Sequence, residues 1–416
     1  MGTGERPGAS VGREERALAG AVSSERVAIV ATLIRITGDW DLAEDCVQDA
    51  VEKALARWPV EGTPRNPAAW LTTVARNRAL DVLRRRQTER TKLAEVAIMD
   101  ELERAGTAPE ASITDDRLRL IFTCCHPALP LESRVALTLK TVAGMGTPQI
   151  ARAFLITGPT LSQRVLRAKR RISNAGIPYR VPPDHLLAER TNGVLAVVYL
   201  IFNAGYDAPG GDLAAEALRL ARLLVELLPD DDEARGLLAL IMFQHARRAA
   251  RFDAAGDLVP MEDQDRSTWD RPLIDEGRRQ LRRAGRAGRP PGPYRLQAAI
   301  AGLHATAPDA ASTDWAAIVT HYDALLVAQP SPVIALNRAI AAGFRDGPAA
   351  GLVELDALAG APELAAYHLL PATRADFLRR LGRAAEASAA YRAAYDLAPT
   401  GADRRFLQRR LQACAR

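Results

Sequence analysis

Three segments far apart in the chain share one spacing: an apolar or small residue, steps of four and three, then a proline five residues on. Ala217, Ala221, Leu224 and Pro229 form the first, Ile318, Tyr322, Leu325 and Pro330 the second, and Ala387, Tyr391, Ala394 and Pro399 the third. Steps of three and four keep side chains on one face of an α-helix, and a proline ends the helix it cannot continue. The prolines stand 101 and 69 residues apart, close to three and two periods of roughly 34 residues. A chain that repeats a stopped helix in phase is built from paired helices. From 185 to 416 the pattern therefore predicts stacked helical hairpins.

Composition extends this expectation to the whole chain. Aromatics make up only 5% of the 416 residues, Ala, Leu and Arg are abundant, and runs of β-branched residues are few. That mixture favours helix over strand, so the predicted class is all-α. A hydrophobic content of 48% is enough for real cores, and the length suits two or three domains. Residues 1–20 read as a mobile charged tail and 21–86 as helices broken at Thr37–Asp39 and again at Trp58–Pro67. Residues 87–115 read as a linker and 116–180 as a second helical block, closed by the proline-rich connection Ile177–Pro183. Leu381–Pro399, led by Leu381-Gly382, resembles a tetratricopeptide repeat.

Charge divides the chain unevenly. Residues 1–180 hold 27 Lys+Arg against 21 Asp+Glu, a balance of +6, whereas 181–416 hold 28 against 29, a balance of −1. Residues 151–180 contain seven cations and no acid. A polyanion partner is expected for the N-terminal part, and residues 185–416 are expected to be poorly suited to binding DNA. The first twenty residues have no apolar run, and apolar stretches such as Leu237–Phe243 fall short of a membrane span. Cys46, Cys124, Cys125 and Cys414 show no paired spacing, as suits a reducing compartment. The expectation is a cytoplasmic protein with no membrane contact. Six scattered histidines, no Gly-rich phosphate loop and no nucleophile elbow give no reason to expect an enzyme or a cofactor. Cys124-Cys125-His126 does not supply four tetrahedral ligands and is read as core.

Three helices carry the chemistry. In the first, Val47, Val51, Ala54 and Leu55 form an apolar stripe expected to face a core, and Asp41, Asp45, Gln48, Asp49 and Glu52 form an acidic stripe opposite it. That stripe is either a solvated face or a docking surface for a basic partner helix. In the second, Asn66 can cap and Pro67 suits the first turn. Leu71, Val74, Ala75, Ala79 and Val82 are expected inside, with Thr73, Arg76, Asn77 and Arg84 sharing another side and Arg84-Arg85-Arg86 closing the helix. The third lies in Pro148–Ile172, where a short helix, the turn Leu155-Ile156-Thr157-Gly158 and a second helix read as a helix–turn–helix. Leu161, Val165, Ala168 and Ile172 are predicted to face inward. Thr160, Gln163, Arg164, Arg167 and Arg171 line the outward side, the residue set that can enter a major groove.

These residues carry a resemblance. Thr37-Gly38-Asp39, Leu42–Ala50, Asn66–Leu71 and Ala75–Arg85 are similar to domain two of extracytoplasmic-function sigma factors. Leu129-Pro130, Arg134–Leu137, Gln149-Ile150-Ala151, Thr160–Val165 and Ala168–Ile172 are similar to their domain four. The C-terminal part resembles the extension of the group that carries tetratricopeptide-like helices. The resemblance implies a partner in core RNA polymerase, through its β′ clamp helices and β flap. Asp45, Gln48, Asp49 and Glu52 would grip the clamp. Promoter DNA would be read at −10 by Arg65, Asn66, Trp70, Thr73, Arg76, Asn77, Asp81, Arg84 and Arg85. At −35 the readers would be Thr160, Ser162, Gln163, Arg164, Arg167 and Arg171. The linker 87–115 would thread the polymerase cleft, and the C-terminal helices would hold a regulatory protein or the chain's own domains. Pro148-Gln149 departs from the family, whose members carry an acid before the Ile-Ala pair. A helix–turn–helix regulator with a helical sensor and a tetratricopeptide scaffold are the rival readings.

Overall fold

The computed structural model describes residues 25–85, 110–154, 156–206, 212–285, 288–399 and 401–414. Among them the regular elements are helices, and the one strand-like feature is an isolated antiparallel bridge between Phe252 and Leu258. The expected tail 1–20 and most of the expected linker 87–115 lie outside the described residues. The linker's last residues, from Glu110, are already helical.

The first helix, α1 (25–37), stops at Gly38, whose φ of +66° and N–H bond to the Ile34 carbonyl close it. Asp39 then caps α2 (Trp40–Glu61) by accepting from the Asp41 and Leu42 N–H groups. The break at Thr37–Asp39 thus lies where the sequence puts it. The second break does not. α2 runs through Pro59 and ends where Gly62, at φ +84°, donates to the Trp58 carbonyl. Pro59 sits only two residues from the helix end, and the buried Trp58 anchors that last turn. The loop before α3 (Pro67–Arg85) is therefore 62–66. The buried side of α2 is Leu42, Ala43, Cys46, Val47, Ala50, Ala54 and Trp58. Leu55, expected inside, is 50% exposed. In α3, Leu71, Ala75, Ala79, Leu80 and Leu83 are buried, while Val74 and Val82 lie half-buried at the edge.

The second block comprises α4 (Glu110–Cys124), α5 (Leu131–Leu137) with a π-turn over Thr138–Val142, α6 (Thr147–Ala153) and α7 (Gly158–Asn174). Cys124 and Cys125 are buried, and burial lifts both thiols, that of Cys125 to about 11. Next comes α8 (Asp184–Tyr206), 23 residues long and apolar enough, by length and composition, to cross a bilayer. Its unbroken apolar run, Val194–Phe202, is longer than Leu237–Phe243. Val194, Leu195, Val197, Val198 and Ile201 are buried, and Arg190 donates to the Phe122 carbonyl.

The chain separates into two compact units, the first ending at Ile201 and the second beginning at Phe202. The division falls inside α8, and the start of that helix is tied to α4 through Arg190 and the Phe122 carbonyl. Within the first unit the two sequence blocks dock together. Asp116 of α4, 1% exposed, accepts from Arg35 (2.9 Å) and Thr32 (3.1 Å) of α1. Arg26 donates to the Thr141 carbonyl at 2.8 Å, and the Tyr179 hydroxyl donates to the Ala31 carbonyl at 2.9 Å. Eight apolar residues of α1, from Val27 to Ile36, are accordingly buried.

The second unit is a succession of helices in which neighbours pack: α9 (Asp212–Leu227), α10 (Asp232–Ala246), α11 (Arg271–Ala284), α12 (Pro293–Thr306), α13 (Trp315–Ala328), α14 (Pro332–Asp346), α15 (Pro348–Leu358), α16 (Leu369–Arg380), α17 (Ala384–Leu397) and α18 (Gly401–Cys414). The three repeated segments fall in α9, α13 and α17, and each helix ends two residues before its proline. The repeated positions within these helices are buried, except Tyr322, which is partly covered, and the three prolines are exposed. Close approach is made with glycine. A Cβ on Gly343 or Gly351 would stand 2.3 or 2.4 Å from the Phe377 ring, so that ring fills the gap between α14 and α15.

Candidate nucleic-acid and protein interface

α6 and α7 form the predicted helix–turn–helix. Gln149 reaches back so that its Oε1 accepts from the Gly146 N–H at 2.9 Å, which gives the residue that departs from the family pattern a capping task. Thr157 caps α7 by accepting from the Thr160 N–H at 3.3 Å. Leu161, Val165, Ala168 and Ile172 are all buried, as their spacing predicts. Thr160, Gln163, Arg167 and Arg171 are exposed on the opposite side. Arg164 is half-buried and paired at 2.8 Å with Glu132 of α5. These five residues and Glu132 line an open groove of about 1110 Å³ along α7. At 3.6 residues per turn Ser162 falls on another flank of the helix, so it does not share the arginines' side.

That other flank holds a residue the sequence reading missed. Lys169, seven residues after Ser162, reaches α2 and pairs with Asp41 at 2.7 Å and Glu44 at 3.2 Å. Burial of the ammonium acts to lower its pKa, but the Glu44 and Asp41 carboxylates outweigh it and hold Lys169 above the usual lysine value. Glu44 also accepts from the Thr141 hydroxyl at 2.7 Å. Only the length of Lys169 and its place off the arginine face could have hinted at this role, since its partners lie 128 and 125 residues away.

The acidic stripe of α2 is thus divided. Asp41 and Glu44 hold α7, and Asp49 is half-buried and accepts from Arg78 of α3 at 2.5 Å. Asp45, Gln48 and Glu52 are exposed, with Gln48 donating to Glu52 at 3.1 Å. Asp49 braces α2 against α3, so it is not one of a uniform row of exposed acids.

On α3, Asn66 caps as expected, accepting from the Ala69 N–H at 3.0 Å. Arg65 and Asn66 are exposed in the loop, and Thr73, Asn77, Asp81, Arg84 and Arg85 are exposed along the helix. Arg76 does not share that side. It lies at the buried edge, with its Nε enclosed and unpartnered among the described residues. Trp70 is half-buried, edge-on to Trp58 at 5.6 Å. No group of three or more His, Cys, Asp or Glu residues that could hold a metal occurs among the described residues.

Comparison with known proteins bears on the first block and on the C-terminal part. Residues 22–89 match the model of Sigma-70 region 2, and residues 190–285 match a family of unknown function, DUF6596. An uncharacterized protein of Rhizobium meliloti (strain 1021) is 43% identical over 401 residues, 94% of each chain. The ECF RNA polymerase sigma factor SigL of Mycobacterium tuberculosis is 32% identical over 162 residues, 38% of this chain and 87% of SigL. The probable ECF RNA polymerase sigma factor SigI of the same species is 28% identical over 192 residues, 44% of this chain and 66% of SigI. No solved structure matches.

Proposed function

The chain belongs to the ECF RNA polymerase sigma factors, and from that premise we propose a division of labour among its surfaces. It acts in transcription initiation with RNA polymerase and promoter DNA, in the cytoplasm. The exposed part of the α2 stripe, Asp45, Gln48 and Glu52, docks on the basic clamp helices of β′. The loop 62–66 and the exposed side of α3 meet the −10 element, with Asn77 and Arg84 suited to base edges and phosphates. Thr160, Gln163, Arg164, Arg167 and Arg171 read the −35 element from the major groove. The observation that carries this reading is α7 itself. Its inward face is fully buried, and its outward face offers polar groups near the N-terminus with cations further along. A groove-reading helix needs that arrangement. Glu132 holds Arg164 in the groove and would release it to a base or phosphate. The second unit serves as a tetratricopeptide-like regulatory arm required for full activity.

Co-elution of the full chain with purified core polymerase on gel filtration tests the docking face. The chain is expected in the polymerase peak, and the double variant Asp45→Lys, Glu52→Lys is expected outside it. A variant that co-elutes as the parent does would remove α2 from the interface.

A further inference from the structure

The even charge of the C-terminal part hides a local excess. Residues 278–295 hold seven arginines and neither Asp nor Glu. α11 seats four of them. Its buried side, Leu273, Ile274, Gly277 and Ala284, packs on α10, and a Cβ on Gly277 would stand 2.9 Å from the Phe243 ring. The helix is therefore held close and in one rotation. Arg278, Arg279, Arg282 and Arg283 then point outward, all exposed.

The acids of the helix are used elsewhere or lie at its start. Glu276 pairs with Arg222 at 2.9 Å, and Asp275 pairs with Arg278 at 3.4 Å. Gln280 accepts from Arg235 at 3.0 Å, which fixes the flank of the arginine face. Among the described residues no acid pairs with Arg279, Arg282 or Arg283. Arg282 and Arg283 lie in the last turn and complement the helix dipole, but Arg279 is a turn earlier, where that effect has faded.

We propose that this face of α11 binds the phosphates of duplex DNA without reading sequence. Uncompensated guanidinium groups three and four residues apart, on a rigid helix, match successive phosphate oxygens with forked donors. A protein partner is the less suitable occupant. Protein interfaces bury an apolar centre, and none of the exposed large hydrophobic side chains lies on α11. A phosphate backbone needs only the charges. The inference rests on the sigma-factor reading for the presence of DNA, and it adds a contact outside the −10 and −35 surfaces.

The test is fluorescence anisotropy of the full chain on a short random-sequence duplex, over a range of KCl concentrations. The compared protein carries Arg279→Gln, Arg282→Gln and Arg283→Gln together, with circular dichroism checking the fold. These are exposed helix positions and glutamine keeps helix propensity. Loss of three phosphate contacts should make the slope of log K against log salt shallower by about 2.7, at about 0.9 per contact. An unchanged slope, or no duplex binding by the parent chain, overturns the proposal. So does a variant that binds DNA normally but loses an acidic protein partner. Run-off transcription by the parent chain with core polymerase separates failure here from failure of the sigma-factor reading.

Discussion

Lys169→Met removes the charge that joins α7 to α2 while keeping a side chain of similar length. The lysine side chain is 10% exposed and Glu44 is 15% exposed, whereas Asp41 is 72% exposed. Removing one member of a buried pair costs about 3–5 kcal/mol, because the other charge is left in a poor solvent. Two features reduce that figure. The Asp41 contact faces water and contributes about 0.2–1 kcal/mol, and Glu44 keeps the Thr141 hydroxyl as a donor. We expect a loss of about 2–3 kcal/mol in the first unit. The assay is urea unfolding followed by tryptophan fluorescence, fitted to two transitions because the chain has two units. A double-mutant cycle with Glu44→Gln should return a coupling energy of about 1–3 kcal/mol. The folded pKa of Lys169 is raised, so the contribution is complete below the unfolded value of about 10.5 and is lost as pH rises through the folded value. It should therefore be constant near neutrality. A loss under about 0.5 kcal/mol with no coupling would refute the view that this bridge fastens the two blocks.

Other perturbations follow from the same geometry. Arg164→Ala or Arg167→Ala should weaken promoter binding by about 1–3 kcal/mol and relax preference at one −35 position, read by binding to single-base variants; uniform weakening on every sequence would make that arginine a phosphate contact. Burial lowers the His304 pKa to about 4, so stability should fall as pH drops from about 6.5 toward 4, by about 1.4 kcal/mol per unit. His304→Gln should flatten that slope in acid denaturation curves, and an unchanged slope would place the effect elsewhere. Gly351→Ala pushes a methyl into the Phe377 ring and should cost about 1–3 kcal/mol in the second unit's unfolding transition. Truncation after Tyr206, which keeps α8, should lower promoter-directed transcription if the second unit is required for full activity; a rise would make it an inhibitor.

What the sequence made legible was set by local periodicity. The inward face of α7 is an unbroken heptad-like run of apolar residues bounded by cations, so Leu161, Val165, Ala168 and Ile172 could be placed without a structure. The helix stops at Pro229, Pro330 and Pro399 were legible for the same reason, since proline acts on its own helix. α2 was harder. Its core side steps by four through Leu42, Cys46, Ala50, Ala54 and Trp58, and small residues there carry little hydrophobic signal, so the expected stripe caught Val47 and Ala54 but also took in the exposed Leu55. Pro59 looked like a break because the sequence does not show that Trp58 is pinned in the core. Asp116, Lys169 and Glu44 were invisible as partners, because each pairing is made by docking segments about a hundred residues apart and leaves no local pattern.

Run-off transcription with purified core polymerase and a promoter library tests the central claim most directly. The full chain should start transcripts at discrete sites that share −10 and −35 sequences. Arg167→Ala should shift the preferred −35 sequence, and Asp45→Lys with Glu52→Lys should abolish the transcripts. Core enzyme giving the same transcripts with and without the chain would contradict the account.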